Sequence, residues 1–192
     1  MKRLFFLLAL LMTWPFAQAQ TAGEGIDVTH YGIHVNELNF SSRTLQGETF
    51  VDFTATANVQ QIVLELKSLV VTSVTATGAS VANFSQDGDF LIINLASSLT
   101  VGDSATLDIV YGGNTFSETW GGVEWWGTDY VYNLGVGFES QPHNLGKTWF
   151  PCVDNFTDKA TYDVFVTATN NKKAICGGNF VETVDNGDGT ST

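Results

Sequence analysis

The chain has 192 residues, with 20 acidic and 8 basic side chains and a formal net charge of −12 at pH 7. A chain this acidic repels phosphate backbones, so nucleic acid is a poor partner for it. Its two cysteines, Cys152 and Cys176, are too few for a disulfide scaffold in a domain of this size, although a single bridge between them is possible in an exported protein.

The first 19 residues have the pattern of a signal peptide. The basic pair Lys2-Arg3 precedes an apolar stretch, residues 4–12, that is shorter than the roughly 20 residues needed to cross a bilayer. Ala17-Gln18-Ala19 then has the small-x-small pattern of a cleavage site. We therefore expect an exported protein, in the periplasm, at the cell surface or outside the cell, with a mature domain over residues 20–192 and no transmembrane segment.

The mature chain alternates between apolar and polar residues in short runs, a pattern typical of strands. Period two places the apolar members of each run on one face of a sheet. In chain order the alternating sets are Tyr31, Ile33 and Val35; Val51, Phe53, Ala55 and Ala57; Ile62, Leu64 and Leu66; Leu107, Ile109 and Tyr111; and Tyr162, Val164, Val166 and Ala168. The sequence thus predicts an all-β domain, a β-sandwich or strongly curved sheet of short antiparallel strands.

Glycine-containing segments predict the turns between these strands. They are Gln46-Gly47, Asp87-Gly88, Gly112-Gly113-Asn114 and Asn186-Gly187-Asp188-Gly189. Only three residues follow the last turn, whereas a hairpin needs a returning strand, and proteins rarely leave a lone strand edge uncovered. We therefore expect the chain to be the N-terminal part of a longer polypeptide.

The histidines and the cysteine-containing loop do not indicate a metal site or a catalytic residue. His30 and His34 have the i, i+4 spacing that chelates zinc on a helix, but on a strand that spacing spans roughly 13 Å. Cys152 lies near His143 and Asp154, as a thiol nucleophile near a base would. A proline and a phenylalanine precede it, however, which favours a buried, inert thiol.

An aromatic-rich segment has two interpretations. Its members are Trp120, Trp125, Trp126, Tyr130 and Tyr132. Exposed aromatic rings stack on sugars, so one interpretation is a secreted binding module for carbohydrate or protein. The other is hairpin and core packing, which the adjacent Trp125 and Trp126 favour because neighbours on a strand point to opposite faces.

The segment FPCVDNFTDKATYDVFVTAT resembles the N-terminal β domain of aminopeptidase N-like zinc metallopeptidases, the gluzincin family. That family carries Phe-Pro-Cys-x-Asp-x-Pro and then Lys-Ala-Thr before an alternating strand. The matching positions here are Phe150, Pro151, Cys152, Asp154, Lys159, Ala160 and Thr161. Asn155-Phe156 stands where the family has its second proline, which indicates a divergent branch.

The resemblance implies a saddle-like β domain that is not itself catalytic. Zinc and catalysis would belong to a catalytic domain of the same polypeptide, so this chain would hold no cofactor and would be inactive alone. Asp154 would anchor its loop, the run from Lys159 would begin a core strand, and Lys147 occupies one position of the family's Arg-Arg pair.

The resemblance also implies a substrate-binding segment upstream of the motif. The family binds the free amino group of its substrate through a Gln-x-Glu or Gln-x-Gln segment. Ser140 and Pro142 stand at those two polar positions here, and Glu139, Gln141 and His143 lie beside them. We expect these last three residues to be the substrate-binding residues, at one edge of the peptide-binding cleft.

Overall fold

The computed structural model describes residues 21–169 and 171–192, so the predicted signal peptide lies outside the described residues. Its strands are β1 (Ile26–Asn39), β2 (Thr44–Ala55), β3 (Val59–Glu65), β4 (Val70–Thr77), β5 (Val81–Asp87), β6 (Phe90–Leu99), β7 (Ser104–Asn114), β8 (Ser117–Glu118), β9 (Gly121–Trp126), β10 (Tyr130–Asn133), β11 (Thr161–Val166), β12 (Ala168–Thr169) and β13 (Thr190–Ser191). A 3-10 turn, Gly146–Thr148, interrupts the long connection between β10 and β11. The all-β prediction is confirmed.

The main sheet has five strands in the order β11-β1-β2-β7-β4. Its pairs are antiparallel except β1 with β11, which run parallel with His30 opposite Thr161. A three-stranded sheet, β3-β6-β5, and two small sheets, β10-β9-β8 and β12-β13, complete the described part.

The strand that follows Lys159 is β11, at the edge of the main sheet. Four of its six residues are exposed, so the prediction that the run from Lys159 begins a core strand is wrong.

One hydrophobic core contains residues of both the main sheet and the β3-β6-β5 sheet. On β2, every second residue from Leu45 to Ala55 is buried, as period two requires of a strand with one face covered. Four of the predicted alternating sets lie in this core, apart from Ala57. The fifth set, on β11 and β12, is only partly buried because its strand has a neighbour on one side.

Two of the predicted turns are paired strand segments instead. Gln46-Gly47 lies in β2 and Gly112-Gly113-Asn114 lies in β7, where Gln46 is the partner of Gly112 and Gly47 is the partner of Tyr111. A Cβ on Gly47 would come within 2.8 Å of the Tyr111 ring. The glycine therefore makes space for a cross-strand side chain rather than for a change of direction.

The other two predicted turns are confirmed. Asp87 ends β5, and Gly88 leads into β6 with a positive φ of 58°. The bend over residues 186–189 reverses the chain, so that Val184 and Thr192 exchange backbone hydrogen bonds of 2.8 and 2.9 Å, and β13 also pairs with β12. No helix in the described part of the chain is long and apolar enough to cross a membrane.

Candidate functional site

Residues 136–144 form an exposed loop that is closed by its own backbone, called here the tip loop. Val136 and Asn144 form an antiparallel bridge, and the Gly137 N–H donates to the His143 carbonyl at 2.9 Å. The bridge makes a short neck from which residues 138–143 project. Asn144 is buried at the base of the neck, whereas its bridge partner Val136 is exposed.

The carboxylate of Glu118, at the end of β8, holds the backbone of the tip. It accepts the N–H of Glu139 at 2.9 Å, the N–H of Ser140 at 3.0 Å and the hydroxyl of Ser140. The Ser140 hydroxyl bond, aided by the two backbone N–H bonds, lowers the pKa of Glu118. Glu118 is therefore ionised at neutral pH, and the tip is folded around an anion.

The three predicted substrate-binding residues, Glu139, Gln141 and His143, are all exposed on this tip. Nε2 of Gln141 and Nε2 of His143 are 3.2 Å apart, so these two side chains contact each other. The structure thus brings the three residues onto one loop and leaves their polar groups accessible.

The base of the tip loop rests on a charge cluster, formed by the buried Lys147 and the partly buried Glu65 and Asp154. Nζ of Lys147 lies 2.6 Å from Oε1 of Glu65 and 3.8 Å from Oδ2 of Asp154, and the lysine side chain is 9% exposed. Burial lowers the pKa of Lys147, but its hydrogen bond to Glu65 and the charges of Glu65 and Asp154 outweigh burial, so the pKa is raised overall. The ammonium stays charged and joins the end of β3 to the loop.

Asp154 anchors its loop, as the resemblance implies. Its Oδ2 accepts the Lys147 N–H at 3.3 Å, and its own N–H donates to Oε2 of Glu65 at 3.2 Å. Asn144 of the tip loop donates its side-chain amide to the Asp154 carbonyl at 2.9 Å. Asp154 therefore connects the tip loop, the 3-10 turn and β3.

The Phe-Pro-Cys motif is structural. Phe150, Pro151 and Cys152 are buried, and the ring of Phe150 packs edge-on against Tyr31 with centroids 5.6 Å apart. Cys152 and Glu65 exchange two backbone hydrogen bonds, of 2.8 and 3.0 Å. Burial raises the pKa of the Cys152 thiol, which disfavours the thiolate, and the prediction that this cysteine is buried is confirmed.

Residues 28–192 match the family described as the peptidase M1 N-terminal domain. The chain belongs to this family. The match starts two residues into β1 and runs to the last residue, so it includes every strand and the whole of the tip loop. The resemblance to the metallopeptidase N-terminal domain is therefore confirmed.

Solved structures similar to this M1 N-terminal domain are M1 zinc metallopeptidases. One, from Deinococcus radiodurans, is 24% identical with a TM-score of 0.76, over 89% of this chain and 38% of that chain. A mutant from the same organism bound to a Tyr-Ser-Ala substrate has a TM-score of 0.74 at 24% identity, over 89% of this chain and 39% of that one. A two-domain M1 mutant bound to L-tryptophan also has a TM-score of 0.74 at 24% identity, over 89% of this chain and 39% of that one.

The chain therefore spans about two fifths of the length of these solved structures. A comparison with curated proteins finds no match. At this identity the structural similarity shows the fold, which agrees with the family match.

In this M1 N-terminal domain, Lys159 is exposed and its neighbour Asp158 makes the contact to the main sheet. Oδ2 of Asp158 accepts the Val28 N–H at 3.1 Å, and Oδ1 accepts the N–H of Lys159 at 2.8 Å. Asp158, which the sequence did not single out, therefore attaches this loop to β1, together with the Val153 N–H, which donates to the Tyr31 hydroxyl at 3.0 Å.

Glu65 and Glu118 were also missed by sequence reasoning. Each is an isolated acid at a strand end, without a local pattern around it. The hydrogen-bond partner of Glu65 is 82 residues away at Lys147, and that of Glu118 is 22 residues away at Ser140. Nothing in the sequence near either acid identifies such a partner.

The two cysteines of the M1 N-terminal domain are free, with Cys152 buried and Cys176 exposed, so the possible disulfide is not formed in this structure. His30 contacts the Thr161 hydroxyl at 2.8 Å, and His34 stacks on Phe165 with centroids 4.3 Å apart. Over residues 21–169 and 171–192, no three His, Cys, Asp or Glu side chains come together to hold a metal. These residues therefore do not fit a zinc site.

The aromatic segment packs on the β9–β10 hairpin of the M1 N-terminal domain. Trp125 donates its Nε1–H to Thr115 at 2.8 Å and packs edge-on against Phe40, whereas Trp126 stacks on Tyr130 with centroids 5.9 Å apart. The adjacent tryptophans thus have different surroundings. The packing interpretation holds for Trp125, whereas Trp120, Trp126 and Tyr130 are 68%, 56% and 52% exposed.

Proposed function

We propose that this M1 N-terminal domain is the exported, non-catalytic part of a zinc metallopeptidase, and that residues 139–143 form one edge of its peptide-binding cleft. Family membership supports the peptidase assignment, and the signal-like residues 1–19 support export. The observation that carries the cleft edge is the tip loop, whose backbone is held by Glu118 while three polar side chains stay accessible.

Each exposed side chain of the tip has a distinct role in this proposal. The Glu139 carboxylate pairs with the ammonium of the substrate's first residue, and the Gln141 amide oxygen accepts a hydrogen bond from the same group. His143, 3.2 Å from Gln141, orients that amide. Removing one partner of a desolvated, hydrogen-bonded charge pair costs about 2–5 kcal/mol of binding free energy, so Glu139 has the largest expected effect.

The catalytic zinc belongs to another domain of the same polypeptide in this proposal. Among residues 21–169 and 171–192, no three His, Cys, Asp or Glu side chains are grouped, which supports zinc ligands in that other domain. The similar M1 zinc metallopeptidases are longer, and this chain covers 38–39% of them. That proportion supports a further, catalytic domain.

Exposed apolar side chains next to the tip support contact with that domain. Leu134, Val136 and Phe138 are 62%, 48% and 73% exposed, and they occupy alternate positions leading into the tip. An exposed apolar patch beside polar groups is typical of a surface that another protein unit covers. The catalytic domain would then close the cleft over the tip loop.

The experiment is a substitution set in the full-length polypeptide, assayed on peptides with free and with blocked amino termini. We expect Glu139→Ala to raise KM for free amino termini strongly, and Gln141→Ala and His143→Ala to raise it less, while blocked peptides are unaffected. Glu37→Ala, at an exposed acid on β1, is the matched control. Unchanged kinetics for all three tip variants would overturn the cleft-edge proposal.

A further inference from the structure

We infer that Glu118 is a positioning residue, which sets the shape of the tip loop so that Glu139 meets the free amino terminus of a peptide. This inference rests on the proposed function. Glu118 lies on β8, outside the tip loop and outside the Phe-Pro-Cys motif. It acts on the substrate only through the backbone of Glu139 and Ser140.

Three donors of the tip converge on this one carboxylate. Oε1 accepts the N–H of Glu139 at 2.9 Å and the N–H of Ser140 at 3.0 Å, while Oε2 accepts the Ser140 hydroxyl. Two consecutive N–H groups bound to one oxygen fix the peptide planes on both sides of the Glu139 Cα. The direction in which the Glu139 side chain leaves the backbone is thereby set.

The Glu118 carboxylate reaches the tip loop through a gap that exists because Gly137 and Gly121 have no side chains. A Cβ on Gly137 would overlap Oε1 of Glu118 and come within 2.5 Å of Cδ1 of Leu145. A Cβ on Gly121 would lie 2.5 Å from the Gly137 Cα and 2.8 Å from the same Leu145 atom. The neck of the loop and the start of β9 are therefore packed around the position of the acid.

Charge supports the same arrangement. The Ser140 hydroxyl bond and the two N–H bonds lower the pKa of Glu118, and the charge of Lys67 lowers it further. Because the pKa of Glu118 is lower in the folded protein than in the unfolded chain, its carboxylate orders the loop fully at any pH above the usual glutamate pKa. This ordering is lost as the pH falls through the lowered value.

The kinetic test uses Glu118→Ala, Glu118→Gln and Ser140→Ala in the full-length polypeptide, with Glu37→Ala as the control. For peptides with free amino termini, we expect Glu118→Ala to raise KM about tenfold with kcat within about twofold, because hydrogen bonds to a charged group that order the tip are lost. Peptides with blocked amino termini should show no change. Glu118→Gln keeps Oε1 for the two N–H groups, so its KM should stay within about threefold of the parent value.

A second measurement does not depend on peptidase activity. The amide signals of Glu139 and Ser140, followed by NMR as the pH is lowered, should both shift at a pH below the 4.5 usual for a glutamate carboxyl. The Glu118→Gln substitution should abolish this shared transition. Amide signals of Glu139 and Ser140 that do not follow a common carboxyl would overturn the inference.

The two proposals fail in different ways. If Glu139→Ala weakens binding of free amino termini and Glu118→Ala leaves KM unchanged, the positioning role is overturned and the cleft edge stands. If Glu118→Ala and all three tip variants (Glu139→Ala, Gln141→Ala and His143→Ala) leave KM unchanged, both proposals are overturned. Should Glu118→Ala fail to fold by circular dichroism, Ser140→Ala decides, since it removes a single bond of the three and should raise KM about threefold.

Discussion

The main sheet and the tip loop with its base are stabilised by different interactions. In the sheet, long ladders join β1, β2 and β7, and every second residue of β2 is buried in the core. In the loop and its base, hydrogen bonds converge on three acids, Glu118, Glu65 and Asp154. Burial therefore accounts for the stability of the fold, whereas a few polar groups determine the shape of the candidate site.

The largest effect should come from the core of the main sheet. Phe53 on β2 is 1% exposed, so Phe53→Ala should lower the free energy of unfolding by about 3–5 kcal/mol, from lost burial and the cavity left behind. Urea denaturation of the chain measures this. Phe156→Ala, at a phenylalanine that is 87% exposed, is the control and should change stability by less than about 0.5 kcal/mol. Similar losses of unfolding free energy in Phe53→Ala and Phe156→Ala would contradict the view that burial stabilises the sheet.

The base of the tip loop should be the next most sensitive region. Lys147→Met leaves the Glu65 and Asp154 side chains, which are only 14% and 11% exposed, without their cation. It should therefore cost about 3 kcal/mol, the usual result of breaking a buried pair on one side. Combining it with Glu65→Leu should recover part of that loss, because one orphaned charge is removed. If Lys147→Met alone has the same urea midpoint as the parent protein, water already solvates the two acids and this prediction is wrong.

A polar pair inside the sheet core tests whether the sheet depends on burial alone. The hydroxyls of Tyr111 and Thr49 are 3.0 Å apart and buried. Tyr111→Phe should cost about 1–2 kcal/mol, since the Thr49 hydroxyl loses its partner. Tyr111→Phe with Thr49→Val should cost less than Tyr111→Phe alone, because both polar groups are then gone. A double variant that is less stable than the single one would count against this account.

The smallest effects should distinguish the two neighbouring residues of the motif. Lys159→Ala should change the free energy of unfolding by less than about 0.5 kcal/mol, because this side chain is exposed. Asp158→Ala should cost about 1 kcal/mol, because the Val28 N–H on β1 loses its acceptor. Thermal unfolding of the two variants side by side measures the difference. A larger loss of stability for Lys159→Ala than for Asp158→Ala would contradict the conclusion that Asp158 attaches the loop.

Much of the sheet could be predicted from alternation, because period two marks a strand with one buried face. The sets around Ile33, Phe53 and Ile109 are buried as expected. The turn predictions at Gly47 and Gly112 failed for a physical reason. A glycine is needed both where the chain turns and where a neighbouring strand presents a large side chain. At Gly47 that neighbour is Tyr111, which is distant in sequence and close only in the sheet.

The candidate site could be predicted in outline only. The anchoring role of Asp154 and the buried state of Cys152 agree with the motif, and Glu139, Gln141 and His143 do lie on one loop. Local patterns do not reveal acids whose partners come from other strands. The contribution of Glu118 becomes visible only when β8 lies beside the tip.

The parallel pair at the edge of the main sheet constrains the order in which the protein folds. β1 and β2 are neighbours along the chain and can pair early, but the partner of His30 on the other side of β1 is Thr161, 131 residues later. Pairings between such distant segments form slowly, because loop-closure entropy opposes them. Until β11 arrives, the outer edge of β1 has unsatisfied backbone groups that another copy of the chain can bind. A molecule that has folded up to β7 but has not yet docked β11 is therefore the species in which aggregation should begin.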